Sequence, residues 1–113
     1  MDITNIPNSP WASFCLATYR RQDFLRQTLQ KIAQQTMPDL EVIVSDNDPE
    51  ASSRIIVEEM KDSRFRYFYN TETLGMIKNF NKALENATGE FVVMITVDIL
   101  SALEQLRNLS RES

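Results

Sequence analysis

The sequence predicts an α/β domain built on a mostly parallel, Rossmann-like sheet with flanking helices. Three observations carry that prediction. Short apolar runs rich in β-branched residues alternate along the chain with amphipathic, helix-length stretches. The runs EVIVS and FVVMIT are apolar almost throughout, as strands covered on both faces must be. Helical connections between such strands imply right-handed crossovers, and hence a parallel, doubly wound sheet.

Residues 1–10, with Asp2 and two prolines, read as a flexible arm, and 11–113 as the domain. Trp11 to Ala17 is the first apolar run and suits a buried strand. Leu25, Leu29, Ile32 and Ala33 then recur at helical spacing within 22–36, and Pro38 stops that helix. Glu41 to Ser45 is the second strand. Asp48-Pro49 has the form of an N-cap followed by proline at the first helical position, opening a helix over about 50–61 with Ile56 and Met60 inward. Arg64 to Tyr69 alternates charge and aromatic, as a half-exposed strand would. A third helix is expected over 76–88, with Ile77, Phe80, Leu84 and Ala87 on its inner face and Gly89 as its stop. Phe91 to Thr96 reads as a fourth buried strand, and 100–111, with Leu103, Leu106 and Leu109, as a final helix.

Composition excludes several functions. The 113 residues are 42% hydrophobic and 25% charged with net charge −4, so the chain is an ordinary globular domain without the basic face that nucleic acid requires. There is no histidine and a single cysteine, which removes Ser-His-Asp and Cys-His chemistry, internal disulfides and cysteine metal clusters. No apolar run approaches the roughly 20 residues of a membrane span, and the N-terminus lacks the basic start of a secretory signal. A reducing cytoplasm is the expected location. Only Gly75 and Gly89 occur, so neither the G-x-G-x-x-G fingerprint nor the G-x-x-x-x-G-K phosphate loop is present. The first strand ends in Ala17-Thr18-Tyr19, where a phospho-acceptor receiver domain would carry acids.

Ligands of such sheets bind at the carboxyl ends of the strands, which selects Thr18 to Arg20, Asp46 to Asp48, Asn70 to Gly75 and Thr96 to Asp98. A first strand ending in Thr-Tyr-Arg, a second ending in Asp-Asn-Asp, a Gly-led helix carrying amides and a lysine, and a fourth strand running to Asp98 stand in a fixed order. In the stretches SFCLATYRRQDFLRQTL, LEVIVSDND and NTETLGMIKNFNKALENATGEFVVMITVD, the chain resembles the N-terminal half of family-2 glycosyltransferases, which have the GT-A fold.

The resemblance implies a nucleotide-sugar donor, with a uridine diphosphate sugar favoured, and a glycan or lipid-linked acceptor. It places Ala17, Thr18, Tyr19 and Arg20 at the base and ribose, and Asp46 at the nucleobase, where a carboxylate can accept the imide N–H of uracil. Gly75, Lys78, Asn79 and Asn81 fall near the donor, with Lys78 balancing phosphate charge. Asp98 corresponds to the surviving acid of the metal-binding D-x-D element. It would hold manganese or magnesium weakly, with donor oxygens and water completing the shell. The family continues beyond the point matched by Ser113, into the acceptor site and the catalytic base, so the expectation is a donor-binding portion that does not transfer sugar alone. The alternative is a non-catalytic nucleotide-binding or interaction module that has lost its metal site.

Each residue also has a structural reading. Cys15 suits the core. Tyr19 can be structural, Asp46 and Asp48 can cap the second helix, and Asn79 and Asn81 can be the polar side of a helix. Arg64 and Arg66 suit a solvated strand face. Asn86-Ala87-Thr88 and Asn108-Leu109-Ser110 match a glycosylation pattern but lack a secretory signal. Leu100, Leu103, Leu106 and Leu109 could form an apolar surface through which two copies associate.

Overall fold

The structure is a computed structural model, and it describes residues 10–34 and 39–95. Seven elements follow in the order β1 (Ala12–Thr18), α1 (Gln22–Ala33), β2 (Leu40–Asp46), α2 (Arg54–Met60), β3 (Phe65–Tyr69), α3 (Met76–Glu85) and β4 (Phe91–Met94). The strands form one parallel sheet in the order β3-β2-β1-β4. The expected arm over residues 1–9, the stop at Pro38, the 96–98 strand end with Asp98, and the helix and dimer surface over 100–111 lie outside the described residues.

Side chains alternate across the sheet. On one face Ala12, Leu16, Leu40, Val42 and Val44 pack against Leu25, Leu29 and Ile32 of α1 and Ile56 and Val57 of α2. This is the larger core. On the other face β1 presents only small side chains, Ser13, Cys15 and Ala17, beside Glu41, Ile43 and Ser45 of β2. That leaves room for α3 to approach closely, and Ala83 packs there with Cys15 and Ile43. Burial is the first cause that pushes the Cys15 thiol up to about 11, with Glu41 adding to it, so this cysteine is core.

Three elements differ from the sequence expectations. Helix α2 begins at Arg54, behind an N-cap at Ser53, not after Asp48. Asp48 turns its carboxylate onto its own loop, taking the Glu50 N–H and the Ser52 hydroxyl, and Ala51 adopts a left-handed φ of 54° that no helix can include. Helix α3 ends at Glu85, and it is rotated so that Asn79 and Ala83 are its buried residues. Ile77 is 76% exposed and Leu84 is exposed as well, while Phe80 and Ala87 are partly buried. The small side chains beneath α3 favour Ala83 for close contact, and Ser45 supplies a polar partner for Asn79.

Gly89 is also not a left-handed helix stop. A Cβ there would lie 2.6 Å from Ser13 Oγ and 2.8 Å from the Ala12 and Ser13 backbone, so glycine is required by close approach to β1. Strand β4 is the third difference: Phe91, Val92 and Met94 are about half exposed, because β4 pairs only with β1 among the described residues.

Arg64, just before β3, and Arg66 within it are held by protein acceptors and do not form a freely solvated face. Arg64 pairs with Asp62 at 2.6 Å and donates to the Ala33 carbonyl. Arg66 reaches Glu41 at 3.1 Å and the Asn86 carbonyl at 3.0 Å.

Candidate functional site

Because the strands are parallel and in register, β1, β2 and β3 end at one edge of the sheet. Thr18 stands opposite Asp46, and Asp46 opposite Tyr69. The chain runs outward from β1 to β2 and β3, then returns to β4 on the other side of β1. The reversal places the topological switch at the carboxyl end of β1, where open α/β sheets form their crevice.

Asp46 is the most enclosed charge at this edge, with 0% exposure. Its Oδ1 accepts the Asp48 N–H at 3.1 Å, and its Oδ2 accepts the Ser53 N–H at 3.0 Å and the Tyr67 hydroxyl at 2.6 Å. Three donors make a buried carboxylate tolerable. In this geometry Asp46 ties the β2 end, the start of α2 and β3 together, and it presents no oxygen to the surface for a nucleobase. Burial and the Asp46 carboxylate together hold the Tyr67 phenol well above its usual range, so it remains a donor.

Asp48 is buried too, and the Ser52 hydroxyl and Glu50 N–H hold its carboxyl below the usual range despite burial. Arg20 reaches it at 3.4 Å. Arg20 has a left-handed φ of 53°, and its guanidinium lies 5.2 Å from the centre of the Tyr19 ring. The Tyr19–Arg20 pair is therefore exposed at the crevice and tethered to the β2 loop through Asp48. Thr18 behind it is buried, and among the described residues its hydroxyl has no hydrogen-bond partner, nor does that of Ser53. Ala17 is half-buried on the α3 side of β1.

The segment after β3 brings Gly75 to the N-cap of α3, in an extended conformation with φ −66° and ψ 161°. A Cβ on Gly75 would meet nothing within 4 Å. The fold therefore leaves open space beside this backbone. Lys78 and Asn81 are exposed on α3. Asn79 turns inward and joins Ser45, Asn70 and the Thr18 carbonyl. The structure thus brings Thr18, Tyr19, Arg20 and Asp46 to one strand edge and connects Asn79 to it, while Lys78 and Asn81 stay exposed on α3.

Sequence reasoning placed Asn47 and Asn70 at this edge without giving either a role, and it missed Tyr67 and Ser53 as parts of it. Asn47 was legible only as the middle of Asp-Asn-Asp, and Tyr67 only as a strand aromatic. Two surface depressions of about 440 and 360 Å³ flank β3, lined by Arg54, Glu58 and Tyr69 and by Asn70, Leu74 and Lys82 among others. Neither takes in Thr18, Tyr19 or Arg20, so they sit outside the crevice.

Among the described residues no group of three or more acids or cysteines is placed to hold a metal ion. Asp46 and Asp48 are committed to protein donors and do not fit that role. A cation would rely on Asp98, which lies outside the described residues.

This architecture defines an α/β domain with its polar residues gathered around a switch-point crevice. The family model for glycosyl transferase family 2 matches residues 13–112, and the chain belongs to that family. It is 34% identical over 92 residues to the GalNAc(5)-diNAcBac-PP-undecaprenol beta-1,3-glucosyltransferase of Campylobacter jejuni, covering 79% of this chain and 30% of that protein. It is 27% identical over 86 residues to the UDP-Glc:alpha-D-GlcNAc-diphosphoundecaprenol beta-1,3-glucosyltransferase of Escherichia coli, covering 76% of this chain and 34% of that protein. Among solved structures, a mannosyltransferase of Pyrobaculum calidifontis in complex with GDP-Man and Mn2+ superposes with a TM-score of 0.64. That match has 27% identity and covers 74% of this chain and 26% of the other. The chain spans about a third or less of the length of these proteins. The fold is the Rossmann-like sheet of the GT-A class.

Proposed function

We propose that this chain is the nucleotide-sugar-binding portion of a glycosyltransferase whose acceptor is a glycan or a lipid-linked glycan. The observation that carries this reading is the exposed Tyr19–Arg20 pair at the switch point, tethered to the β2 loop through Asp48, in a family that transfers sugars. Tyr19 offers a ring face for a base, and Arg20 a cation for ribose or phosphate oxygens. The open space beside Gly75 allows a diphosphate to approach the backbone at the head of α3.

A uridine diphosphate sugar is the favoured donor, because the Escherichia coli relative is named for UDP-Glc. The solved neighbour holds GDP-Man, which makes GDP the competing nucleotide. A manganese or magnesium ion, if held through Asp98, would act as a Lewis acid on the departing diphosphate. These residues alone bind and do not transfer: Asp46 and Asp48 are both engaged by protein donors, so neither is free to serve as a general base.

Thermal unfolding of the chain with UDP, GDP and manganese, singly and together, tests the reading. A nucleotide at a hundred times its dissociation constant adds about 2.7 kcal/mol, enough to raise the midpoint by several degrees in a domain of this size. A shift that needs nucleotide and metal together supports a diphosphate-metal site. A shift with nucleotide alone supports the non-catalytic binding module instead. No shift with either nucleotide at saturation defeats the proposal.

A further inference from the structure

The loops at the carboxyl edge are joined to one another by side-chain amides. Asn47 faces the backbone of Leu74, donating from Nδ2 to its carbonyl at 2.7 Å and accepting its N–H on Oδ1 at 2.8 Å. A peptide N–H can only donate and a peptide C=O can only accept, so the Asn47 amide has a single orientation. The assignment then propagates. Asn47 Oδ1 also accepts from Asn70 at 3.1 Å, so Asn70 must present Nδ2. The same Nδ2 lies 2.9 Å from Asn79, which must therefore present Oδ1. Ser45 becomes the second donor to that oxygen, at 2.8 Å, and Asn79 Nδ2 is directed at the Thr18 carbonyl at 3.4 Å.

The donor and acceptor directions of the Leu74 backbone are thereby passed through three amides to the end of β1. Asn79 is 3% exposed and Asn47 is buried, so water does not compete for these bonds as it does at a surface. We infer that Asn47, Asn70 and Asn79 act as one polarised relay that fixes the Leu74–Gly75 backbone against Thr18, and that Asn79 is a positioning residue for bound nucleotide. It does not touch the ligand. This rests on the nucleotide-binding reading of the crevice, and it changes the role that family resemblance gave Asn79.

The test compares the full chain with Asn79→Asp, which keeps the shape and the accepting oxygen but sets a second oxygen against the Thr18 carbonyl. Amide hydrogen exchange at Leu74 is read by NMR against Ile43 in the central strand, and UDP binding by titration calorimetry. Asn79 has no bond to Leu74, so a local packing defect would leave that amide alone. The relay requires Leu74 to exchange at least about tenfold faster in the variant, with Ile43 changing much less. It also requires UDP to bind about tenfold more weakly, the loss expected for one hydrogen bond's worth of preorganisation.

Should Asn79→Asp fail to fold, Ser45→Ala removes only one donor to Asn79 and should give the same pattern at smaller size. Unchanged Leu74 exchange, or equal acceleration at Leu74 and Ile43, would overturn the relay. Selective acceleration with unchanged UDP affinity would overturn the positioning role. If the unaltered chain binds neither UDP nor GDP, the nucleotide reading fails and takes the positioning role with it, while the exchange data still decide the relay.

Discussion

At the residue scale, two buried carboxylates organise opposite ends of the sheet. Asp46 holds the carboxyl end through Asp48, Ser53 and Tyr67. Replacing Tyr67 by phenylalanine keeps the ring but withdraws one of the three donors from a buried charge. The expected loss is about 1.5–3 kcal/mol, the usual value for a hydrogen bond to a charged group, measured as a lower midpoint in urea with unchanged slope. Glu41 does the same at the other end, where it accepts from Ser13, from the Thr88 N–H and hydroxyl, and from Arg66. Burial works to raise its carboxyl, but these hydrogen bonds outweigh burial and hold it below the usual range. A folded pKa below the unfolded one stabilises above the unfolded value, roughly pH 4.3, and that stability disappears as pH falls through the folded value. Asp62, held low by Arg64, acts with the same sign. The thermal midpoint should therefore be insensitive to these groups near neutrality and drop below about pH 4. Glu41→Gln should be less stable at neutral pH and show a shallower acid limb.

At the scale of elements, the two glycines separate fold from site. Gly89 is demanded by its contact with β1, and α3 is anchored there by the Ser13 hydroxyl accepting the Gly89 N–H at 2.7 Å. Gly89→Ala forces backbone apart and should cost about 1–3 kcal/mol, visible in the thermal midpoint. Gly75 has an ordinary φ and open space, so nothing in the fold forbids a side chain. Serine is a better N-cap than glycine by a few tenths of a kcal/mol. Gly75→Ser should therefore leave stability level or slightly raised while weakening UDP binding in calorimetry. Equal UDP binding by that variant would remove Gly75 from the site.

At the scale of the whole molecule, burial is uneven. The α1/α2 face carries the main core, while α3 leaves Met76 at 82% exposure with Ile77 exposed after it, and β4 leaves Val92 and Met94 exposed. These side chains contribute little to the stability of the described domain. Replacing Met76 and Ile77 together by lysine should change stability by no more than about 0.5 kcal/mol per site, read by urea unfolding. A large loss would mean that other parts of the chain cover this face. The sheet order places the crevice at β1 whatever happens on that side, since the switch point follows from connectivity.

The sequence by itself determined the alternation of strands and helices, the parallel sheet and the family, because apolar period and the order of strand-end residues are local properties of the chain. It also located the Thr18–Arg20 and Asp46–Asp48 loops, which lie at strand ends wherever the strands pair. Tertiary structure decided what the side chains there do. Asp48 resembled a helix cap until its loop closed on itself and Ala51 broke the helix. Asp46 resembled a ligand acceptor until Tyr67 and Ser53 closed over it from elements about 20 and 7 positions away. The inner face of α3 followed hydrophobic period in Ile77 and Leu84, yet the small side chains of β1 and the Ser45 hydroxyl of β2 drew Ala83 and Asn79 inward instead. Periodicity records how apolar a helix face is, but the shape and polarity of the surface beneath it decide which residues are buried.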